Sequence, residues 1–236
     1  MNFMIYGEDC RHALLTGLFT DAGFVLQAPA DLLILSPKES FSAHTDVIKD
    51  GCLIWGGPAS DTVALQTAGY NKMKQSDTFR MKNSVYTAEG ALSLAISETK
   101  TALCESTVFI LGYGYLGKEC TRLFASVGAN VTVYTENPEE LAQATLDGYH
   151  ALKLTRLSDL NGTLLLNTIP FPVLDTLPVH AESEPALLIE LASIPCTTKE
   201  INGLRVLPAG ALPSRFSPYS AAKLMFDEIN YQLKKE

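Results

Sequence analysis

A turn of three glycines between two apolar runs constrains the fold of this chain more than any other feature. The stretch from Thr107 to Pro138 is TVFILGYGYLGKECTRLFASVGANVTVYTENP, with the pattern G-x-G-x-x-G at Gly112, Gly114 and Gly117. The pattern alone is weak. Here an apolar run precedes it and a helical pattern follows it, which is the context that a dinucleotide-binding turn requires.

Each glycine of this turn has a predicted role. Gly112 permits the tight turn, Gly114 lets the backbone approach a pyrophosphate, and Gly117 allows close helix–strand packing. The start of the following helix, at Tyr115 and Leu116, would offer N–H groups and a positive dipole end to the phosphates. The alternative is a doubly wound domain in which the glycines serve packing alone.

The end of the second apolar run is expected to contact the ribose on the adenine side of the cofactor. It carries Thr135, Glu136 and Asn137. A carboxylate can accept hydrogen bonds from both ribose hydroxyls and repels a 2′-phosphate, so Glu136 slightly favours NAD over NADP. The alternative for Glu136 is a solvated loop acid.

Two later apolar runs end in polar residues that would lie at the same edge of a parallel sheet, where ligands bind. The stretch LLLNTIPFPVL places Asn167, Thr168, Ile169 and Pro170 there, and LLIELASIP places Glu190 and Ser193 there. Polar residues at strand ends can equally serve as turn or cap residues.

Short apolar runs alternate with helical patterns through the chain, which predicts an α/β fold of two small doubly wound domains. Predicted strands are NFMIY, DLLIL and CLIW, then TVFIL, NVTVY, HALKL, TLLLN, ALLIEL and LRVL. We expect a flavodoxin-like domain at residues 1–83, a connecting helix at 84–103, a Rossmann NAD(P)-binding domain at 104–215, and a C-terminal helix at 216–236 that packs back on the first domain.

Composition argues against several classes of function. The chain has 236 residues, a net charge of −8, and five cysteines without C-x-x-C spacing. This charge does not suit a nucleic-acid partner, and we expect no metal site. No apolar run approaches the ~20 residues that span a bilayer, and the start does not resemble a signal peptide, so a cytoplasmic protein is expected.

Several stretches resemble the family of the dipicolinate synthase A subunits of spore-forming bacteria. They are YGEDCRH, NSVYTAEGALSLAI directly before the glycine turn, the turn itself, LLLNTIPFPVL, LLIELASIP and LPAGALPSRFSPYSAAKLM. The resemblance implies a role in sporulation: oxidation of a dihydrodipicolinate-type acid by NADP, with a separate flavoprotein-like second subunit. It further implies that Asn167–Pro170 line the nicotinamide side of the cofactor, and that Thr87 and Glu89 face the crevice between the two domains. Glu190 and Ser193, from their position at the sheet edge, are expected to line the same substrate crevice.

The chain also departs from that family. The family usually has arginine and threonine where Tyr115 and Leu116 stand, and an arginine where Glu136 stands. Arg215 could replace one of the lost cations that would pair with a dicarboxylate. Glu89 is the candidate catalytic base. Two alternatives stay open: a non-catalytic nucleotide-responsive binding protein, and a dehydrogenase of the hydroxy- or amino-acid type. Assembly into a homo-oligomer is also open.

Overall fold

The computed structural model describes residues 1–58 and 60–235, and it divides into two compact units. The first unit comprises Met1–Asn83 and Pro213–Glu236, and the second comprises Ser84–Leu212. Each unit contains one parallel sheet with helices, which confirms the predicted α/β fold class.

The first unit is built on a five-stranded sheet. Its elements are β1 (Asn2–Tyr6), α1 (His12–Asp21), β2 (Val25–Leu26), β3 (Ala30–Leu35), β4 (Ile48–Gly56), α2 (Asp61–Thr67) and β5 (Asn71–Lys72). The strand order is β2-β1-β3-β4-β5, the order of the flavodoxin-like doubly wound fold. The two-residue strands β2 and β5 were not predicted, because they are too short to show a pattern.

A long helix, α3, spans Asp77–Glu98 rather than the predicted residues 84–103. It begins earlier because Ser76 caps it: the Ser76 hydroxyl accepts the Phe79 N–H at 3.1 Å, and Glu228 accepts both the N–H and the hydroxyl of Ser76. It ends earlier, at Glu98, and both the N–H and the hydroxyl of Thr99 donate to the Ala95 carbonyl of its last turn.

The second unit is built on a six-stranded parallel sheet. Its elements are β6 (Thr107–Leu111), α4 (Tyr115–Ser126), β7 (Asn130–Tyr134), α5 (Pro138–Leu146), β8 (His150–Leu152), β9 (Leu164–Asn167), β10 (Ala186–Glu190) and β11 (Leu204–Pro208). The order β11-β10-β9-β6-β7-β8 is that of the classical Rossmann sheet.

The two faces of this second sheet are covered differently. On one face, α3 and α4 bury Ala91, Phe124 and their neighbours against Ile110 and Leu166. Much of the other face is covered by irregular chain, including Leu157 and short 3-10 segments at Leu154–Arg156 and Val173–Thr176. Strands that are apolar on both faces therefore do not require helices on both sides.

The chain returns to the first unit after β11. A short helix, α6 (Leu212–Phe216), leads into α7 (Pro218–Leu233), which packs on α1. The rings of Phe19 and Phe226 meet edge to face, with centroids 4.9 Å apart. The prediction that the C-terminal helix packs back on the first domain is confirmed.

The register of the second sheet brings four strand ends level. Leu111 pairs with Tyr134 on one side and with Asn167 on the other, and Asn167 pairs with Glu190. The residues that follow these four therefore lie along one edge. Between β6 and β9 the strand order reverses, which is where doubly wound sheets bind their ligands.

Candidate cofactor site

Two of the three glycines are required by the packing of the protein itself. Gly112 has a φ of +92°, and its N–H donates to the Tyr134 carbonyl at 2.8 Å. A β-carbon on Gly112 would lie 2.6 Å from the Thr168 hydroxyl oxygen, and one on Gly117 would lie 2.2 Å from the Gly112 carbonyl oxygen. These positions explain the tight turn and the close approach of α4 to β6.

Gly114 is different, because the protein does not require a glycine there. It is exposed, has an ordinary φ of −69°, and is the N-cap residue of α4. The nearest atom to a β-carbon at this position would be Glu140 Oε1, at 3.9 Å. The open space in front of Gly114 fits a pyrophosphate that approaches the backbone.

The residue between the first two glycines fixes the turn to the rest of the unit. Tyr113 is buried, packs on Val133 and Ala144, and donates its hydroxyl to Asp147 at 2.8 Å. This hydrogen bond lowers the pKa of Asp147, and burial raises the pKa of Tyr113. The Tyr113 N–H donates to Glu140 Oε2 at 3.0 Å.

The two predicted residues that open α4 lie in different environments. Tyr115 is 41% exposed, whereas Leu116 is half-buried and packs against the core beneath α3 and α4. Leu116 therefore has a packing role, and a contribution of its backbone N–H to cofactor binding stays a prediction.

The end of β7 carries two residues whose side chains serve the local structure. Asn137 caps α5, since its Oδ1 accepts the N–H groups of Glu139 and Glu140. Thr135 is buried and donates its hydroxyl to Glu140 Oε2 at 2.6 Å. Glu136 is exposed, and its Oε1 accepts the Thr155 N–H at 2.8 Å.

Glu140 was not among the residues predicted for the site, although the sequence holds a signal for it. An asparagine followed three residues later by a glutamate is typical of a helix N-terminus with a capping box. In the usual box the glutamate returns to the N-cap N–H, whereas here it extends to the glycine turn.

The ends of β9 and β10 form a buried polar network. Asn167 is fully buried; its Nδ2 donates to Glu190 Oε1 at 2.7 Å and to the Ile169 carbonyl at 2.9 Å. Glu190 also accepts the N–H groups of Ala192 and Cys196. Burial, followed by the charge of Glu190, raises the pKa of the Cys196 thiol. Both polar side chains are thus engaged within the protein.

The remaining residues predicted at this edge are more accessible. The Thr168 hydroxyl donates to the Leu111 carbonyl at 2.7 Å, and Ile169 packs against the core of the sheet. Pro170 and Ser193 are exposed. The structure thus brings Thr168 to Gly112, and Asn167 to Glu190.

The residues predicted for the substrate crevice lie in both units. On the second-unit part of α3, Thr87 is half-buried and Glu89 is exposed. Arg215 is exposed in the first unit, with its guanidinium 5.0 Å from the centroid of the Phe216 ring. The catalytic role of Glu89 and the substrate roles of Thr87 and Arg215 stay predictions.

The first unit contains a cationic cavity that was not predicted from the sequence. It has a volume of about 450 Å³ and is lined by Trp55, Gly56, Gly57, Lys72, Met73, Lys74, Gln75 and Arg80. Lys72 Nζ donates to the Pro58 carbonyl at 2.9 Å, and burial lowers the pKa of Lys72. The sequence signal is the run KMK, which is too short to indicate a cationic site by itself.

Two further properties concern the described part of the chain alone. In residues 1–58 and 60–235, no three histidine, cysteine, aspartate or glutamate side chains meet in an arrangement that could hold a metal ion. In the same ranges, no helix is both long enough and apolar enough to cross a membrane.

The sequence of this chain is similar to that of a bacterial synthase subunit. The A subunit of dipicolinate synthase from Bacillus subtilis (strain 168) is 30% identical over 199 residues, which cover 79% of this chain and 66% of that protein. The chain thus spans slightly less than two thirds of this relative. No protein-family model matches the chain.

Solved structures of other proteins have the same fold as this chain. The dipicolinate synthase A subunit from Bacillus halodurans aligns with a TM-score of 0.76 at 20% identity, covering 100% of this chain and 98% of that one. An L-alanine dehydrogenase aligns with a TM-score of 0.62 at 14% identity, covering 99% of this chain and 89% of that one.

The strand order, the glycine turn and these alignments define the class: the chain has the α/β fold of Rossmann-type oxidoreductases. Within that class it is a relative of the dipicolinate synthase A subunits.

Proposed function

We propose that this chain is an NAD(P)-dependent oxidoreductase that oxidises a dihydrodipicolinate-like cyclic acid. The proposal that the chain binds a dinucleotide rests on the surroundings of Gly114. This residue is an exposed helix N-cap in ordinary backbone conformation with open space before it, so packing does not require a glycine there, whereas a phosphate that approaches the backbone does. The sequence similarity to the A subunit from Bacillus subtilis supports the proposed class of substrate.

Oxidation of such a ring removes a hydride and a proton. A bound nicotinamide supplies the hydride acceptor. The chain's own residues position the two reactants and take the proton, for which Glu89, exposed on α3, is our candidate base. Because forming an aromatic ring is strongly favourable, one base suffices.

We propose a preference for NAD(H) over NADP(H). Two carboxylates, Glu136 and Glu140, lie at or just beyond the end of β7, where the cofactor ribose binds in this fold. A carboxylate within ~4–6 Å of a 2′-phosphate costs about 1–4 kcal/mol near a protein surface. Arg156, which lies after β8, lines a separate cavity with Phe109 and Asp159.

We further propose that the acid groups of the substrate pair with cations of the first unit. Lys72, Lys74 and Arg80 line one cavity, whose volume of about 450 Å³ suits a small acid. Arg215 is a further candidate in the same unit. We also propose that the protein is cytoplasmic, that it acts in sporulation, and that it works with a flavoprotein-like second subunit.

The test is cofactor titration followed by turnover. Gly114→Val places a branched side chain where the pyrophosphate approaches, and we expect at least a tenfold loss of dinucleotide affinity with an unchanged circular dichroism spectrum. Wild-type affinity in a folded Gly114→Val variant would disprove the cofactor site.

Turnover then separates the alternatives. Reduction of the cofactor with a dihydrodipicolinate-like acid supports the enzyme. Binding without turnover, with and without the second subunit, would instead indicate a nucleotide-responsive binding protein, and turnover of a hydroxy or amino acid would indicate the other dehydrogenase type.

A further inference from the structure

Glu140 joins the two segments that surround the expected cofactor position. It lies in the first turn of α5, and its Oε2 accepts the N–H of Tyr113 at 3.0 Å and the hydroxyl of Thr135 at 2.6 Å. One carboxylate oxygen is therefore held between the glycine turn and the end of β7, which fixes the position of the other.

The second oxygen of the same carboxylate lies on the ligand side. Glu140 Oε1 is 3.9 Å from the place that a β-carbon on Gly114 would occupy, in the space that we assign to the dinucleotide. Each carboxylate oxygen can accept two hydrogen bonds. Within residues 1–58 and 60–235, the hydrogen bonds of this carboxylate go to Oε2, so Oε1 keeps its capacity for a ligand hydroxyl.

Glu136, the residue that the sequence predicts to contact the ribose, is hydrogen-bonded to a different segment of the chain. It is exposed, and its Oε1 accepts the backbone N–H of Thr155, in the segment that follows β8. Its carboxylate is thus bonded to the segment after β8, whereas the Glu140 carboxylate is bonded to the glycine turn.

We propose that Glu140, rather than Glu136, determines the choice between NAD and NADP. This inference rests on the proposed cofactor site. Glu140 Oε1 accepts a hydrogen bond from the ribose on the adenine side, and its charge repels a 2′-phosphate. The bonds from Tyr113 and Thr135 hold the carboxylate in place before the cofactor arrives, so the discrimination requires no rearrangement.

Calorimetric titration with NAD and NADP tests the proposal. We expect the wild type to bind NAD at least about tenfold more tightly, and Glu140→Gln to reduce that ratio by about tenfold. Glutamine keeps an acceptor for Tyr113 and Thr135 and removes the charge. Glu139→Gln is the matched control, since it removes the same charge from the same helix turn, and we expect it to keep the wild-type ratio.

A 2′-deoxy analogue of NAD adds a readout that a structural role would not change. The wild type should lose about tenfold in affinity for the analogue relative to NAD, and Glu140→Gln should lose less. A merely structural Glu140 would weaken NAD, NADP and the analogue equally.

The outcomes separate this inference from the proposed function. A wild type that binds no dinucleotide contradicts the proposed function and, with it, this inference. Equal wild-type affinities for NAD and NADP would overturn this inference and the proposed NAD preference, but not the dinucleotide site. A ratio that changes in Glu136→Gln and not in Glu140→Gln would overturn the inference alone. If Glu140→Gln does not fold, Glu136→Gln decides: an unchanged preference for NAD in that variant supports the inference, and a lost preference overturns it.

Discussion

Glu190, at the end of β10, accepts a hydrogen bond of 2.7 Å from Asn167, at the end of β9, and both side chains are buried. The same carboxylate accepts the N–H groups of Ala192 and Cys196. The sequence placed both residues at a ligand-binding edge. The structure shows that their polar atoms already hold together the loops of that edge.

Glu190→Ala is therefore expected to destabilise the second unit by about 3 kcal/mol, because it leaves two backbone N–H groups and an amide without their acceptor. Amide hydrogen exchange in β9 and β10 measures this. Glu182→Ala, which removes an exposed acid of the same unit, is the control and should have little effect. Equal stability of the two variants would contradict the role of the network.

Gly117→Ala should destabilise the fold more than Gly114→Ala does. A β-carbon on Gly117 would be 2.2 Å from a backbone oxygen, so α4 must move, at a cost of about 2 kcal/mol or more. On Gly114 it meets nothing closer than 3.9 Å, so we expect a loss below about 1 kcal/mol. Scanning calorimetry measures both. A reversed order would show that the turn is packed differently.

Asp9 should make the stability of the first unit depend on pH. Its side chain is almost fully buried, is paired with Arg11, and accepts the Ser214 hydroxyl at 2.8 Å. Burial alone would raise the pKa of Asp9, but the hydrogen bonds of Arg11 and then its charge lower it to about 2.

Because the folded pKa lies below the unfolded value, this carboxylate stabilises the fold above about pH 4, and the contribution is lost as the pH falls towards 2. Asp9→Asn should thus cost about 2 kcal/mol at pH 7 and progressively less below pH 4. Urea unfolding followed by Trp55 fluorescence reports on this unit, since Trp55 is the single tryptophan of the chain and is buried there. A difference that stays constant from pH 7 to pH 3 would refute the assignment.

Lys74→Gln should weaken binding of pyridine-2,6-dicarboxylate about tenfold, because it removes one cation from the cavity in the first unit. The Lys74 carbonyl accepts a hydrogen bond from Gln232, and this backbone bond survives the substitution. Lys82→Gln, an exposed lysine on α3, is the matched control. Calorimetry without dinucleotide measures the affinity, and unchanged binding in Lys74→Gln would place the acid elsewhere.

The sequence by itself determined the longer strands and the glycine turn. The predicted strands β1, β6 and β7 match the structure residue for residue, because a run of apolar residues with a turn signal at its end is local information. The roles of Gly112 and Gly117 follow from backbone geometry, which a short motif also specifies.

Only the tertiary structure decided which side chains meet. Tyr113 and Glu140 are 27 residues apart, and Ser76 and Glu228 are 152 residues apart, yet each pair is joined by hydrogen bonds. Those contacts start α3 at Asp77 and place the Glu140 carboxylate, rather than that of Glu136, beside the glycine turn. Hydrogen bonds between distant segments depend on how strands and helices pack, and a local pattern does not contain that information.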